Sequence, residues 1–495
     1  MRLLLASILV LFVLRFAHSQ SRNMAMHNPT DPKTYYLKTN TPYNIPFVVV
    51  EKGPVYSSTM KYSYSVNGGD PVSASVSFDQ GHPTSCVNNF NLSSYRVEFA
   101  VPLILSAEGS YRLKIWIDSL DGLVDINHSN DTMVRNYKAL NNLPPRKGLT
   151  EYGFHITCGP CGESGPPYLE SLLTTFEPYS VLVKLHNYGI PNSPFSRYDC
   201  TEAIQIDEMF SNSAHPKFTF NRADIRPYSN PNFAKYLFYP DVDFCPTNYN
   251  YFIQDIPFFT SVPSDLDVHQ FAFNSVTNEF SFQMQAIFPD DITFAQETRM
   301  SCMLVEDSIY DYQYDNGGPA LDSTWHRNVL RTVFGGSWGK AGSLPAQVVA
   351  NQPYTLNLSG VLKPGWNKQQ LYLVPTLQYY NATANKREVL NVKRIRVPDL
   401  SVLAGNLPVK EQNQVLVYPN PADGIAWVEA GKGQAISGCT VLSIDGKKQF
   451  RFLSGQILNS AAVSIPTKDM ANGTYLLTVS LTDGTHKTIR LVVNH

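Results

Sequence analysis

The stretch Leu149–Asn187 constrains this chain more than any other. It runs from a short strand candidate, Leu149–Tyr152, through Cys158-Gly159-Pro160-Cys161 and a helical pattern to the apolar run Ser180–His186. Leu169, Leu172, Leu173 and Phe176 recur at i, i+3, i+4 and i+7, the spacing of a helix face that lies on a sheet. The two residues between the cysteines put both sulfurs at the start of that helix, close enough for a small disulfide ring. There, unpaired N–H groups and the helix dipole favour a thiolate. Strand, Cys-x-x-Cys, helix and strand predict a βαβ unit carrying a dithiol. The pair is either redox-capable or a structural disulfide. A metal site needs more ligands, and neither a second Cys-x-x-Cys nor a paired-His motif lies near.

Cys158-Gly-Pro-Cys161 resembles the thioredoxin active site, and Pro166 stands where thioredoxin helices carry a kinking proline. The resemblance implies a cis-proline facing the dithiol. The best candidate is Pro216 in the stretch His215–Arg222, which begins a strand after a helical pattern at Thr201–Phe210. One residue departs from the family, Thr157 where thioredoxin has tryptophan. Under this resemblance Cys158, Cys161 and Pro216 are the candidate catalytic residues.

The N-terminus predicts export. Met1-Arg2 supplies a positive start, Leu3–Leu14 an apolar run too short to span a membrane, and Ala17-His18-Ser19 the small residues of a cleavage site, so 1–19 is the expected signal peptide. No later segment reaches the roughly 18 apolar residues of a membrane-spanning helix. With a net charge of −2 there is no basic surplus to neutralise phosphates, and nucleic acid is not an expected partner. Hydrophobic residues make up 43% and charged residues 16%, enough for several packed cores. Seven cysteines leave at least one unpaired or paired between molecules. In an oxidising compartment Cys200–Cys245 is a second candidate bridge.

Around this centre the chain is mostly β. Ile45–Val50, Met60–Val66, Tyr95–Val101 and Tyr111–Ile117 alternate or run apolar, with Asn67-Gly68-Gly69 as a hairpin signal. This predicts a β-sandwich over 24–140 that resembles the immunoglobulin-like modules of bacterial surface proteins. Its closing segment, Asp118–Thr132, carries Asp118, Asp121 and Asp125 among other oxygen ligands, which makes structural Ca²⁺ one expectation. Asx turns that join and end strands are the other, because the spacing fits no EF-hand loop. A thioredoxin-like domain is expected over 146–255. His186 closes a strand pointing toward its active-site end, either as a proton-transfer group or as a partly buried strand-end imidazole.

A β-sandwich or jelly-roll-like domain is expected over 262–398, from strand candidates Phe271–Phe273, Glu279–Phe288, Met300–Leu304, His326–Phe334, Gln370–Leu377 and Val389–Val397. Thr157–Cys161, His186, Pro216 with Asn221-Arg222, Trp325–Arg331 and the glycine-rich Gly335–Gly339 follow one another in an order similar to that of the Omp-twenty-eight-type outer-membrane proteins of Bacteroidota. That resemblance covers about residues 148–398. It implies a surface antigen, adhesin or receptor rather than a particular reaction.

Leu400–Asn413 is a linker. Beyond it come Tyr418-Pro-Asn-Pro-Ala422, an Asp445-Gly446 turn, Gly473-Thr-Tyr-Leu-Leu-Thr-Val479 and the terminal run Lys487–Val493, which predict a small antiparallel sandwich. This series resembles the type IX secretion sorting domain of Bacteroidota over 412–495. It implies type IX secretion machinery as a partner and a final place on the cell surface or outside the cell. Pro419 and Pro421 are expected to stop edge pairing and leave a flexible junction.

The fold class expected overall is multidomain and mainly β, with one α/β domain. Two functions follow from these expectations. One is a surface or secreted binding protein, with a protein or glycan ligand, that uses the thioredoxin-like module as scaffold. The other is a thiol–disulfide oxidoreductase using Cys158 and Cys161. The metalloprotease motif H-E-x-x-H is absent from the sequence.

Overall fold

The computed structural model describes residues 22–27, 30–53, 55–78, 94–163, 173–190, 193–209, 215–223, 253–314, 321–383, 387–400, 415–430, 435–443, 449–452 and 462–495. The signal segment, Cys86, Pro166, Leu169, Leu172, Cys245, most of the linker and the Asp445-Gly446 turn lie outside these residues. The chain forms two compact units, Met1–Gly405 and Asn406–His495.

In the first unit, alternating strands build a two-sheet arrangement near the N-terminus. One sheet holds Met24–Met26, Pro46–Glu51 and Ser94–Glu98; the other runs Thr30–Lys38, Thr132–Leu140, Gly109–Leu120, Thr59–Val66, Val72–Ser77. Both sheets turn one face inward, as period-two alternation requires, so that Phe47, Val49 and Val97 meet Tyr62, Ile115 and Tyr137 in a shared core. Asn67 and Gly68 take positive φ at the hairpin between Thr59–Val66 and Val72–Ser77, as expected for an Asn-Gly turn.

The segments 146–255 and 262–398, expected as separate domains, share one eight-stranded sheet. Its order is Lys217–Phe220, Gly148–Phe154, Ser180–His186, Val329–Phe334, Glu297–Glu306, Leu371–Tyr380, Val389–Val392, and Ile395–Arg396 also pairs with Leu371–Tyr380. The junction is a parallel pairing at Lys184 and Val329, where Lys184 N–H donates to the Asn328 carbonyl (2.8 Å). A sheet edge left open by the βαβ unit is closed by a strand from much later in the chain, and two would-be edges disappear.

One face of the shared sheet packs against a three-stranded sheet, Asp265–Phe273, Glu279–Ile287 and Pro353–Val361, through Phe280, Phe282, Met284, Met300, Leu304 and Leu373. On another face Leu149, Val183, Leu185, Leu330 and Val374 pack with Ala203 and Ile206 of the helix Thr201–Glu208. The expected strand His326–Phe334 is divided. Leu321–His326 pairs with Ile309–Gln313, and Val329–Phe334 joins the large sheet, with Asn328 at φ 53° making the break.

The first unit is also tied internally by an Arg96–Asp255 ion pair (2.6 Å), by Tyr36 N–H to the Thr260 carbonyl (2.8 Å), and by Phe258 and Phe259 packed on the N-terminal core.

The second unit is a small sandwich. Leu416–Tyr418, Ile425–Glu429 and Ala462–Pro466 form one sheet, and Gln449–Phe452, Ile436–Ser443, Gly473–Leu481 and His486–Val493 the other. Its core uses Ala426, Val428, Val441, Ile465, Leu477 and Leu491. The Pro-Asn-Pro segment is pinned rather than loose. Asn420 accepts from Val492 N–H (2.8 Å) and donates to the Arg490 carbonyl (2.8 Å). The prolines lack an N–H to donate, so the asparagine side chain supplies the strand-like pairing instead.

Candidate functional site

Gly148–Phe154 and Ser180–His186 are fully buried parallel strands in register from Gly148/Ser180 to Phe154/His186. Lys217–Phe220 runs antiparallel on the other side of Gly148–Phe154. The chain leaves Phe154 through His155-Ile156-Thr157 and reaches Cys158 and Cys161, joined as a disulfide at the start of the short helix Gly159–Glu163. Cys161 N–H donates to Cys158 Sγ (3.2 Å), and Tyr152 hydroxyl to the Cys161 carbonyl (3.4 Å). Pro216, buried and preceded by a cis peptide bond, immediately precedes Lys217, the partner of Gly153. The three expected catalytic residues therefore meet the same strand.

The sulfurs are withdrawn. Cys158 is 6% exposed and Cys161 4%, and both belong to a cluster with Tyr152, Phe154, Phe218 and Phe220. A hairpin from the later β region, Ile309–Gln313 with Leu321–His326, holds the turn. Gln313 Nε2 donates to the carbonyls of Cys158 (3.0 Å) and His155 (3.3 Å), and Tyr314 N–H donates to the Ile156 carbonyl (2.8 Å). The loop at Arg197 fastens the hairpin in turn: Arg197 Nε donates to Asp311 (2.7 Å), and Tyr198 hydroxyl donates to the same carboxylate.

Period-two alternation sends Lys184 and His186 to the disulfide side of Ser180–His186. His186 Nδ1–H is directed at the Asp199 carboxylate and Nε2 accepts from Ile156 N–H (3.2 Å), partners that define a neutral tautomer. Burial lowers its pKa against the pull of Asp199. The imidazole thus positions the approach to Cys158, a strand-end structural role. Lys184 lies over the rings of Tyr152 (5.7 Å) and Phe154 (5.2 Å), and burial, with help from Arg327, brings its pKa down to about 8. His155 and His326 are each held down at about 4, chiefly by burial and then by the neighbouring His215 and Lys184 side chains respectively. Asp207 gathers Lys217 (3.0 Å), His215 (3.1 Å) and Asn187 (3.0 Å), which outweigh its burial and keep the carboxyl low. A side chain at Gly153 would collide with Asp207, so glycine there lets the cluster approach the strand. Behind the site, Arg222, in the turn after Lys217–Phe220, pairs with Glu151 (2.6 Å) and donates to Gln378 (2.7 Å), tying that turn to two strands of the shared sheet.

Gln313, Asp199, Asp207 and Lys184 were not singled out from sequence. Only Lys184 carried a signal, a lysine inside the apolar run Ser180–His186. The remaining expectations divide as follows. Phe176 is buried in the disulfide cluster and Leu173 packs against it. Cys200 is a free thiol that caps the helix Thr201–Glu208 by accepting from Ala203 N–H (3.4 Å), which corrects the expected Cys200–Cys245 bridge. Burial pushes that thiol up to about 12. Asp118, Asp121 and Asp125 do not converge on a Ca²⁺ position. Asp118 accepts from Ser63 and Trp116, Asp121 from Ser58 and Thr59 while pairing with Arg22, and Asp125 from Met24 N–H and Asn127 N–H. Each carboxylate is engaged by its own set of donors, most of them from segments far away in the chain. Among the described residues no group of three or more His, Cys, Asp or Glu side chains is set to hold a metal.

Comparison with known proteins bears on the second unit. Residues 416–494 match the family described as "Secretion system C-terminal sorting domain". The tail is a secretion sorting domain. The chain is accordingly a type IX secretion cargo, delivered to the cell surface or the extracellular space, and its sorting domain engages the secretion machinery. No helix among the described residues is long and apolar enough to cross a membrane.

No curated protein matches the chain. Many solved structures are similar, and those named here share little sequence identity with this chain. HBP35 of Porphyromonas gingivalis is 11% identical, with 70% of this chain and 98% of that one covered and a TM-score of 0.41. Protein AGR_C_4864 from Agrobacterium tumefaciens is 11% identical, with 55% and 100% covered and a TM-score of 0.30. Dimeric latent PorU from Porphyromonas gingivalis is 9% identical, with 96% and 34% covered and a TM-score of 0.16.

Proposed function

We propose that the mature chain is a binding or adhesin-type envelope protein, in which a thioredoxin-like module serves as scaffold between an immunoglobulin-like sandwich and further β layers and recognises a protein or glycan ligand. The burial of the Cys158–Cys161 disulfide under the Gln313 hairpin carries this reading. A disulfide that exchanges with a protein needs a sulfur open to in-line attack, and here the turn carrying it is held from a distant part of the chain. A thiol count on native protein in strong reductant tests it. Cys158 and Cys161 are expected to stay unreactive until the chain is unfolded, and rapid labelling of both in the folded protein defeats the scaffold reading.

A second reading, an extracytoplasmic thiol–disulfide oxidoreductase, is favoured by Pro216 standing directly before the strand that pairs with the dithiol strand. In that reaction the reduced Cys158 thiolate attacks a substrate disulfide and expels one substrate thiolate. Cys161 then displaces the second, leaving a reduced substrate and the Cys158–Cys161 disulfide, which an external dithiol must reduce again. Turnover of a protein disulfide by wild type but not by Cys158→Ser supports this reading. Equal rates for the two remove it.

A further inference from the structure

The two outer faces of the sorting domain differ in chemistry. On the sheet Gly473–Leu481/His486–Val493 the outward pairs are polar: Thr478 with Thr488 (3.2 Å) and Ser480 with His486 (2.9 Å), and Leu476, 40% exposed, stands opposite Arg490. On the opposite sheet Ala426 and Val428 point inward, and the alternate positions carry Ile425 and Trp427 outward, 49% and 46% exposed. Tyr418, 46% exposed, lies directly across from Trp427, and Pro466 across from Ile425. Tyr418 is steadied by a hydrogen bond from its hydroxyl to Glu429 (3.1 Å).

A small sandwich gains nothing for its own core from an aromatic patch facing outward. Exposed apolar patches mark interaction sites, and Tyr and Trp are enriched at interface centres. The domain's family role supplies the occupant, since a sorting domain acts by being bound by the export apparatus. The geometry points to the outer face of Tyr418, Ile425 and Trp427 as the surface that a protein component of the secretion machinery grips. This rests on the sorting-domain match and not on the ligand-binding reading of the first unit.

The test uses the full chain expressed in cells with the intact secretion system, comparing wild type, Trp427→Glu, Ile425→Glu and, on the polar face, Leu476→Glu. The measured quantity is the fraction reaching the surface or medium against the fraction held in the periplasm. Trp427→Glu is expected to lower the exported fraction about tenfold, the loss typical of a central aromatic anchor. Ile425→Glu should follow it, and Leu476→Glu should export normally. Thermal unfolding and size-exclusion of the purified full-length variants complete the test, with wild-type values expected. Normal export of both Trp427→Glu and Ile425→Glu overturns the proposal. So does an export defect matched by Leu476→Glu, or one accompanied by a lowered melting temperature or lost self-association, because the face would then pack on the chain itself or on a second copy.

Discussion

The disulfide end of the first unit and the sorting domain use their aromatic residues in opposite directions. Around Cys158 and Cys161, Tyr152, Phe154, Phe218 and Phe220 point inward and enclose the sulfurs, while Lys184, His186 and His326 are buried with them. In the sorting domain, Ala426, Val428 and Leu477 fill the core, and Tyr418 and Trp427 stand outside. The first arrangement obliges polar groups to find partners, and those partners come from far along the chain: Gln313 for the Cys158 carbonyl, Asp199 for His186, Asn328 for Lys184 N–H. The second makes no such demand, because exposed aromatic rings need nothing from their own chain. Reactive chemistry hidden under a hairpin suits a scaffold, and an aromatic face left open suits recognition by another protein.

The sharpest way to break this comparison is to remove the tail. A chain ending before residue 412 is expected to lose export altogether while its first unit unfolds at an unchanged denaturant midpoint; export measured by fractionation and a denaturation curve check both halves. Next in size is Arg222→Met, which takes the ion-pair partner from the buried Glu151 on the second strand of the shared sheet. Breaking a buried ion pair from one side costs about 3–5 kcal/mol, so the first unit's urea midpoint should fall sharply while a separate transition of the tail does not move.

Gln313→Ala should be milder. It strips the side-chain donor from the buried Cys158 and His155 carbonyls, at a cost of about 1–3 kcal/mol, and should speed labelling of the disulfide after reductant is added. Unchanged labelling would mean that the hairpin does not guard the sulfurs.

The smallest expected effects are in the pH dependence, where two parts of the first unit pull in opposite directions. His155 and His326, held at about 4 mainly by burial, take up protons more readily unfolded than folded. Their contribution is complete above about pH 6.5 and is lost as the pH falls toward about 4. Asp131 runs the other way: burial and then Asp125 push its carboxyl up to about 6, so its contribution is present below about pH 4 and is lost as the pH rises through about 6. Denaturant midpoints against pH should lose part of the rising trend in His326→Gln and part of the falling trend in Asp131→Asn.

Particular residues show how far local sequence reaches. Ser180–His186 is the observed strand to the residue, and the helix pattern at Thr201 and the strand after Pro216 both stand where spacing put them. The strand Pro353–Val361 is not among the strands expected from sequence, although Tyr354, Leu356 and Leu358 alternate along it. The break at Asn328 was concealed by the continuous apolar look of His326–Phe334, which serves two different sheets.

What the sequence alone determined about this protein is local in origin. Alternation fixed which strands have an inner and an outer face, the cysteine spacing brought two sulfurs into bonding range, and the ordered tail motifs identified the sorting domain. Only the tertiary structure decided that two apparent domains share a sheet, that Gln313 seals the disulfide turn, and that the carboxylates of Asp118, Asp121 and Asp125 are taken by separate sets of donors. Those outcomes depend on partners many residues apart, and a buried polar group's need for a partner does not reveal in advance which distant residue will meet it.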